Sequence, residues 1–381
     1  MPSERSVSMQ ILETKIIYRD GEYVSFPNLA LLKDGTILCA FRHAPDRVKE
    51  FGGIHHLDPC AKDVFLYSHD GGNTFEQELH TILDEEMISN QDPCLTVLSG
   101  GRILSSSYRW IFAPVGEGPV VWGEKRYQQC GNRFFDKLDA FIGDANCSYS
   151  DDNGKTWTLV PRLYVEGTPC GVAVRGNVVE LPNGELLMPY YNKLALGQLS
   201  SAGLFRSTDM GESWEDYSII APATAEKNFY EPNIFRTQSG RLVALIRTQT
   251  DTSIPGMRYE DTYLNVHTTV SEDDGKTWGP VTEIPNFWGS NPIHALQLKS
   301  GKVLVTYGYR RAPFGIRARL CNGELTDLSE AEEIILREDG AHGDLGYTNA
   351  IQLDNGDILV VYYIADENDT RVIAVTRLRE D

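Results

Sequence analysis

The 381-residue chain contains no apolar run near the 18 residues a membrane-crossing helix needs, no CxxC pair among its seven cysteines, and no sustained helix-period segment. Positive charge is also scarce. Against 54 acidic residues stand 35 Lys and Arg, a net charge of -19, which opposes binding to nucleic acid or to an anionic membrane surface. A local arginine cluster can still hold one small carboxylate, because the nearest groups dominate at contact range. The scattered cysteines, several inside apolar runs, predict buried free thiols in a reducing compartment. The opening "MPSERSVSMQILETK" has no apolar signal core, so the expected location is cytoplasmic, or secreted if a signal has been removed.

What the chain has in quantity is repetition. An apolar run, a turn with Gly and a second apolar run recur six times: "NLALLKDGTILCAF", "CLTVLSGGRILSSSY", "NVVELPNGELLMPYY", "NIFRTQSGRLVALIR", "ALQLKSGKVLVTYG" and "AIQLDNGDILVVYY". Each reads as a β-hairpin, since Asp-Gly and Asn-Gly supply the positive φ of tight turns. Most hairpins are followed by a third strand, an Asp-rich segment and a fourth strand. Four-stranded units repeated radially are propeller blades. The prediction is an all-β, six-bladed β-propeller with four-stranded antiparallel blades, one domain over residues 1–381. The segment "QILETKIIY" completes the last blade, and an insertion from Trp110 to Asn146 overhangs one face.

The Asp-rich segments are "SHDGGNTF" at Ser68, "SDDNGKTW" at Ser150, "STDMGESW" at Ser207 and "SEDDGKTW" at Ser271, with a degenerate "CNGELTDL" in blade five. Their Ser and Asp suit turn-stapling bonds, whereas each offers too few carboxylates for calcium. They join strands three and four, so any funnel mouth lies at the opposite end, where strand one begins and strand two ends. The strand-one starts there are "SFPN", "NQDP", "RGN", "YEPN", "SNPIH" and "GYTN". Arginines follow the turn glycine by seven to nine residues in four blades, as Arg42, Arg109, Arg247 and Arg310. Converging from separate blades, they would suit bidentate grip of a carboxylate. Asp92 in "NQDP", His43 and Arg311 are further substrate-binding candidates at this mouth. His55 and His56 are adjacent and would point apart in extended chain without a third ligand, so neither a metal nor another cofactor is expected.

On its repeats and these end segments the chain resembles the sialidase superfamily, six-bladed propellers with Asp-boxes of the form S-x-D-x-G-x-T-W. "YEPNIFRTQSGRLVALIR" matches the family's blade-four Glu and Arg with Glu231 and Arg247, and "GYTNAIQLDNG" matches its Tyr with Tyr347. The resemblance implies an exo-glycosidase acting on a glycan's terminal acidic sugar, with Tyr347 as nucleophile and Glu231 as its base. A phenol is apt there because an anomeric carboxylate repels an attacking Asp or Glu. The implied acid is Asp58 in "HHLDPCAKDVFLYS", with Asp46 and Asp63 as alternatives. The third arginine is Arg310 or Arg311, Arg317 reading as part of a strand. Ser25 stands where the family's first arginine would, and Arg42 at the same hairpin's exit is its candidate replacement. Two other readings remain at this stage. One is a hydrolase or lyase for a uronic-acid-containing glycan, using His43, His294 or His342 with Tyr347; the other is a non-catalytic glycan-binding propeller.

Overall fold

All six predicted turns reverse the chain through a glycine at positive φ, from Gly35 at 86° to Gly356 at 90°. In the computed structural model, which describes residues 9–118, 120–122, 125–128, 132–251, 259–288 and 291–381, these hairpins begin six antiparallel sheets. Blade one pairs Tyr23–Leu31, Ile37–Ala44, Lys62–Ser68 and His80–Leu83 in chain order. Blades four and five repeat the pattern from Lys227–Arg236 and His294–Gln297. In blade three the inner strand is broken into Ala173–Val174 and Val179–Glu180. Blade six takes Gly346–Gln352, Ile358–Ala365 and Arg371–Glu380 from the end of the chain and Met9–Tyr18 from its start. In blade two the strands Ile103–Pro114 and Leu138–Ser150 stay paired beyond the end of the inner strand Ile88–Val97. The helices among the described residues are two single turns, Val48–Phe51 and the 3-10 turn Tyr259–Thr262.

Most of the core consists of six apolar seams, each lying between neighbouring blades. Leu38 and Phe65 of blade one meet Leu95 and Ile103 of blade two, and Leu104 and Tyr108 meet Met188 and Phe205 of blade three. Leu187 and Leu204 meet Ile234 and Leu242, Leu245 and Phe287 meet Val303 and Tyr307, and Leu304 and Ile316 meet Val360 and Ala374. Leu359 and Val375 close the ring on Leu29 and Cys39. A blade therefore buries its two faces chiefly against its neighbours.

The Asp-rich segments are staples, as the side-chain chemistry predicts. In the blade-three copy Ser207 Oγ accepts from Gly211 N at 2.9 Å, and Asp209 accepts from Ser213 N at 2.9 Å and from Ser213 Oγ at 2.5 Å. The other three copies repeat these bonds. Gly211 has φ 87°, and a Cβ there would stand 2.9 Å from Leu104 of the preceding blade. Glycine is required both for the turn and for seating it on the neighbouring sheet. Replacing Ser207 with Ala leaves the buried Gly211 N–H without its acceptor. The expected loss is ~1–2 kcal/mol in denaturant unfolding, with the kinetic constants of the folded protein unchanged.

The cysteines depart from the all-thiol expectation. Cys39, Cys94, Cys147 and Cys321 are free and buried and Cys60 is free and exposed, but Cys170 is disulfide-bonded. Spacing along a sequence does not report which thiols the fold brings within bonding distance.

Candidate functional site

The "SFPN", "NQDP", "YEPN" and "GYTN" segments share a local geometry. In each, the inner-strand register slips, between Ser25 and Asn28, Gln91 and Cys94, Tyr230 and Asn233, and Gly346 and Asn349. At each slip one residue adopts positive φ: Phe26 at 57°, Asp92 at 59°, Glu231 at 46° and Tyr347 at 50°. Proline follows three of these four, and lacking an N–H it costs the ladder no bond where the pairing is already interrupted. Left-handed backbone at a residue other than glycine costs ~1–3 kcal/mol. The bulges of blades four and six bring the Glu231 and Tyr347 side chains within hydrogen-bond distance of each other.

Just beyond the bulges, asparagines bridge the inner strands. Asn28 Oδ1 accepts from Leu95 N at 3.0 Å, Asn349 Oδ1 accepts from Leu29 N at 2.9 Å, and Asn177 Nδ2 donates to Leu95 O. With Asn233, Cys94, Glu231, Arg175 and His294 they line an axial pocket. Arg175, from the matching place in blade three, donates to the backbone carbonyls of Phe26, Pro27 and Tyr347 at 3.1–3.3 Å, so one buried guanidinium holds two bulges across the axis.

Tyr347 Oη donates to Glu231 Oε1 at 2.6 Å. Arg247 Nη1 donates to Glu231 Oε2 at 2.7 Å and to Tyr347 Oη at 3.4 Å. All three residues are buried, Tyr347 at 7% exposure and Glu231 at 4%. The Tyr347 ring packs on Phe26 at 4.4 Å, with the guanidinium groups of Arg175 and Arg310 at 5.1 and 5.7 Å from its centroid. Burial, then the Glu231 carboxylate, hold the Tyr347 phenol well above its ordinary pKa, so the resting hydroxyl keeps its proton. Arg310 donates to Leu345 O, Tyr263 Oη and Tyr363 Oη.

The remaining sequence candidates separate. Arg311 is exposed and stacks on Trp288 at 4.0 Å, while Arg317 lies in the strand Gly315–Cys321. Arg109 is buried and paired with Glu85. Arg42 lies in register between Ser25 and Asp63, fully buried, with Tyr23 beneath its guanidinium. None of its guanidinium nitrogens has a hydrogen-bond partner among the described residues, and none is open to the funnel. His43 bonds Asp20 at 2.7 Å, on the other face of the strand, and His342 bonds Asp369 at 2.7 Å. His294, facing the axis, is pushed down to about 4, mainly by burial. His55 and His56 do not point apart; the loop folds back and stacks their rings 5.2 Å apart. Asp58 accepts from Arg47 Nε at 2.9 Å and from Cys60 N at 2.8 Å. Among the described residues no group of three or more His, Cys, Asp or Glu could hold a metal ion. Sequence reading gave Arg175, Phe26 and Tyr363 no role at the site. The first two stand at the positions matching Glu231 and Tyr347, which was their available signal.

Two buried carboxyls raise the pH sensitivity of the fold. Burial pushes Asp63 up to about 7 and Asp92 up to about 8. Because the folded pKa of each exceeds the unfolded one near 4, the folded state binds more protons across that interval. Stability is therefore highest at the acid end and falls as pH rises toward 7–8. Replacing Asp63 with Asn is expected to flatten this fall, read as melting temperature against pH from 5 to 8.

A family model described as a BNR repeat-like domain matches residues 61–360. The chain belongs to the BNR repeat-like family. This BNR-repeat propeller has the sialidase-like architecture its repeats predicted. It is 31% identical to a protein of unknown function from Dyadobacter fermentans whose crystal structure superposes with a TM-score of 0.81, covering 98% of this chain and 99% of that one. The leech intramolecular trans-sialidase, solved with 2,7-anhydro-Neu5Ac, is 16% identical with a TM-score of 0.66, over 97% of this chain and 70% of that one. Xyloglucanase Xgh74A of Acetivibrio thermocellus is 30% identical over 173 residues, 43% of this chain. The matched part of this BNR-repeat protein spans 19% of the xyloglucanase's length.

Proposed function

We propose that this propeller is an exo-glycosidase that hydrolyses a terminal acidic sugar, sialic acid or a relative, with Tyr347 attacking and Glu231 taking its proton. The observation that carries this reading is the 2.6 Å bond from Tyr347 Oη to Glu231, made inside a buried site with Arg247 on both partners. A phenol is a poor nucleophile while protonated, and a carboxylate in hydrogen-bond reach removes that proton as attack proceeds. Arg247 and Arg310 are the cations placed to receive a sugar carboxylate beside the attacking oxygen, and burial strengthens that interaction. Arg42 supplies no third donor, being buried behind the wall next to Ser25. The proposed carboxylate grip is thus two-armed.

The purified protein is tested against 4-methylumbelliferyl glycosides of sialic and uronic acids, with products identified by mass and by anomeric configuration. The expected result is release of a sialic or related acid with retention, as a covalent tyrosyl intermediate requires. Binding of these sugars without turnover favours the glycan-binding module, and an unsaturated product favours elimination.

A further inference from the structure

Three of the four bulge residues alternate around the ring, Phe26 of blade one being the exception. Neighbouring blades in the ring are neighbours in sequence, so Asp92, Glu231 and Tyr347 occupy blades two, four and six, every second position about the axis. All three adopt the same left-handed backbone at an inner-strand bulge, and all three are at least nine-tenths buried. Two of them form the proposed nucleophile and base. The third is a carboxyl, 1% exposed, whose Oδ1 has no hydrogen-bond partner among the described residues.

Resting on the Tyr347–Glu231 reading, we propose that Asp92, rather than the loop residue Asp58, is the general acid that protonates the departing glycosidic oxygen. Asp58 is poorly suited, because Arg47 holds both of its oxygens and the Cys60 N–H occupies Oδ1 as well. Asp92 has the opposite surroundings. The charged and titratable groups that act on it electrostatically are the guanidinium groups of Arg175 and Arg42, the carboxyls of Glu231 and Asp63, the phenols of Tyr108, Tyr191 and Tyr347, and the Cys94 thiol. Burial is the largest influence, and it keeps the carboxyl protonated at neutral pH, as a proton donor requires.

The step balances. As the anomeric C–O bond breaks, its electron pair goes to the leaving oxygen, which takes the Asp92 proton. Tyr347 Oη forms the new bond to the anomeric carbon and passes its own proton to Glu231. In the second step the Asp92 carboxylate takes a proton from water, whose oxygen displaces Tyr347, and Glu231 returns the phenolic proton.

The test compares Asp92→Asn and Asp58→Asn on two α-glycosides of N-acetylneuraminic acid, one with a methyl and one with a 4-methylumbelliferyl leaving group. An alkoxide needs the acid and the aryl oxide needs it far less. The expected result for Asp92→Asn is a kcat loss of roughly 10²–10⁴ on the methyl glycoside, a much smaller loss on the aryl one, and disappearance of the alkaline limb of the pH–kcat profile. Asp58→Asn is expected to leave the ratio between the substrates unchanged. A melting temperature at or above wild type for Asp92→Asn shows that the fold is kept. Equal losses on both substrates, carried in KM, overturn the assignment in favour of simple substrate contact. A leaving-group effect in Asp58→Asn instead also overturns it. If Asp92→Asn behaves as expected while Tyr347→Phe keeps full turnover, the nucleophile reading fails and the acid assignment stands. A wild type that cleaves neither glycoside overturns both.

Discussion

Tyr347→Phe is expected to lose at least about a thousandfold in kcat on a sialoside while keeping the fold and most of the substrate affinity, the scale on which losing a nucleophile separates chemistry from binding. The variant deletes one oxygen. The Phe26 contact and the Arg175 bond to the backbone carbonyl of residue 347 do not involve the phenol, so the bulge remains held. Glu231 loses one donor but keeps Arg247, so no unpaired charge is created. Isothermal titration with the sugar beside steady-state kinetics makes the check. Full turnover in the variant would remove the tyrosine from the mechanism.

Arg247→Ala is the second large effect, and it combines two losses. Without its guanidinium the Glu231 carboxylate is left buried and uncompensated, a situation that costs ~3–5 kcal/mol of stability. Affinity for an acidic sugar is expected to fall by a further ~2–5 kcal/mol, because a desolvated carboxylate loses its partner. Arg247→Lys separates the two. It returns a charge to Glu231 and recovers much of the stability, but a point charge lacks the planar fork, so affinity stays low. Denaturant midpoints and titration calorimetry on both variants distinguish these terms. If Arg247→Ala binds sialic acid as tightly as wild type, the sugar carboxylate is held elsewhere.

How much of this was legible depended on whether the signal was local. The Asp-Gly and Asn-Gly turns and the Ser-x-Asp-x-Gly staples are local devices, and they gave the blade count and the phase of the ring. The pairing of Glu231 with Tyr347 is not local. These residues are 116 positions apart, and only alignment of the hairpins and the family resemblance brought them together. The bulges were hidden, although a proline after Phe26, Asp92 and Glu231 marked where the ladder breaks. Without them, Asp92 read as one acidic residue among several at the mouth. Arg42 illustrates the converse. Its distance from Gly35 matched that of Arg247 from Gly240, yet cross-strand register with Ser25 and Asp63 placed it inside the wall. Arg310 and Arg311 could not be told apart until the strand Val303–Tyr309 fixed where the chain turns.

The shared sixth blade also sets an order of events on the ribosome. The strand Met9–Tyr18 is made long before its partner Arg371–Glu380, from which nearly the whole ring separates it in sequence. At ~5–20 residues per second the early strand waits for roughly 20–70 s with Ile11, Leu12 and Ile16, which remain exposed even in the finished ring, presented to every neighbouring chain. The closure that gives the propeller its axis is therefore also the interval in which a nascent chain is most open to capture by a chaperone or by another copy of itself.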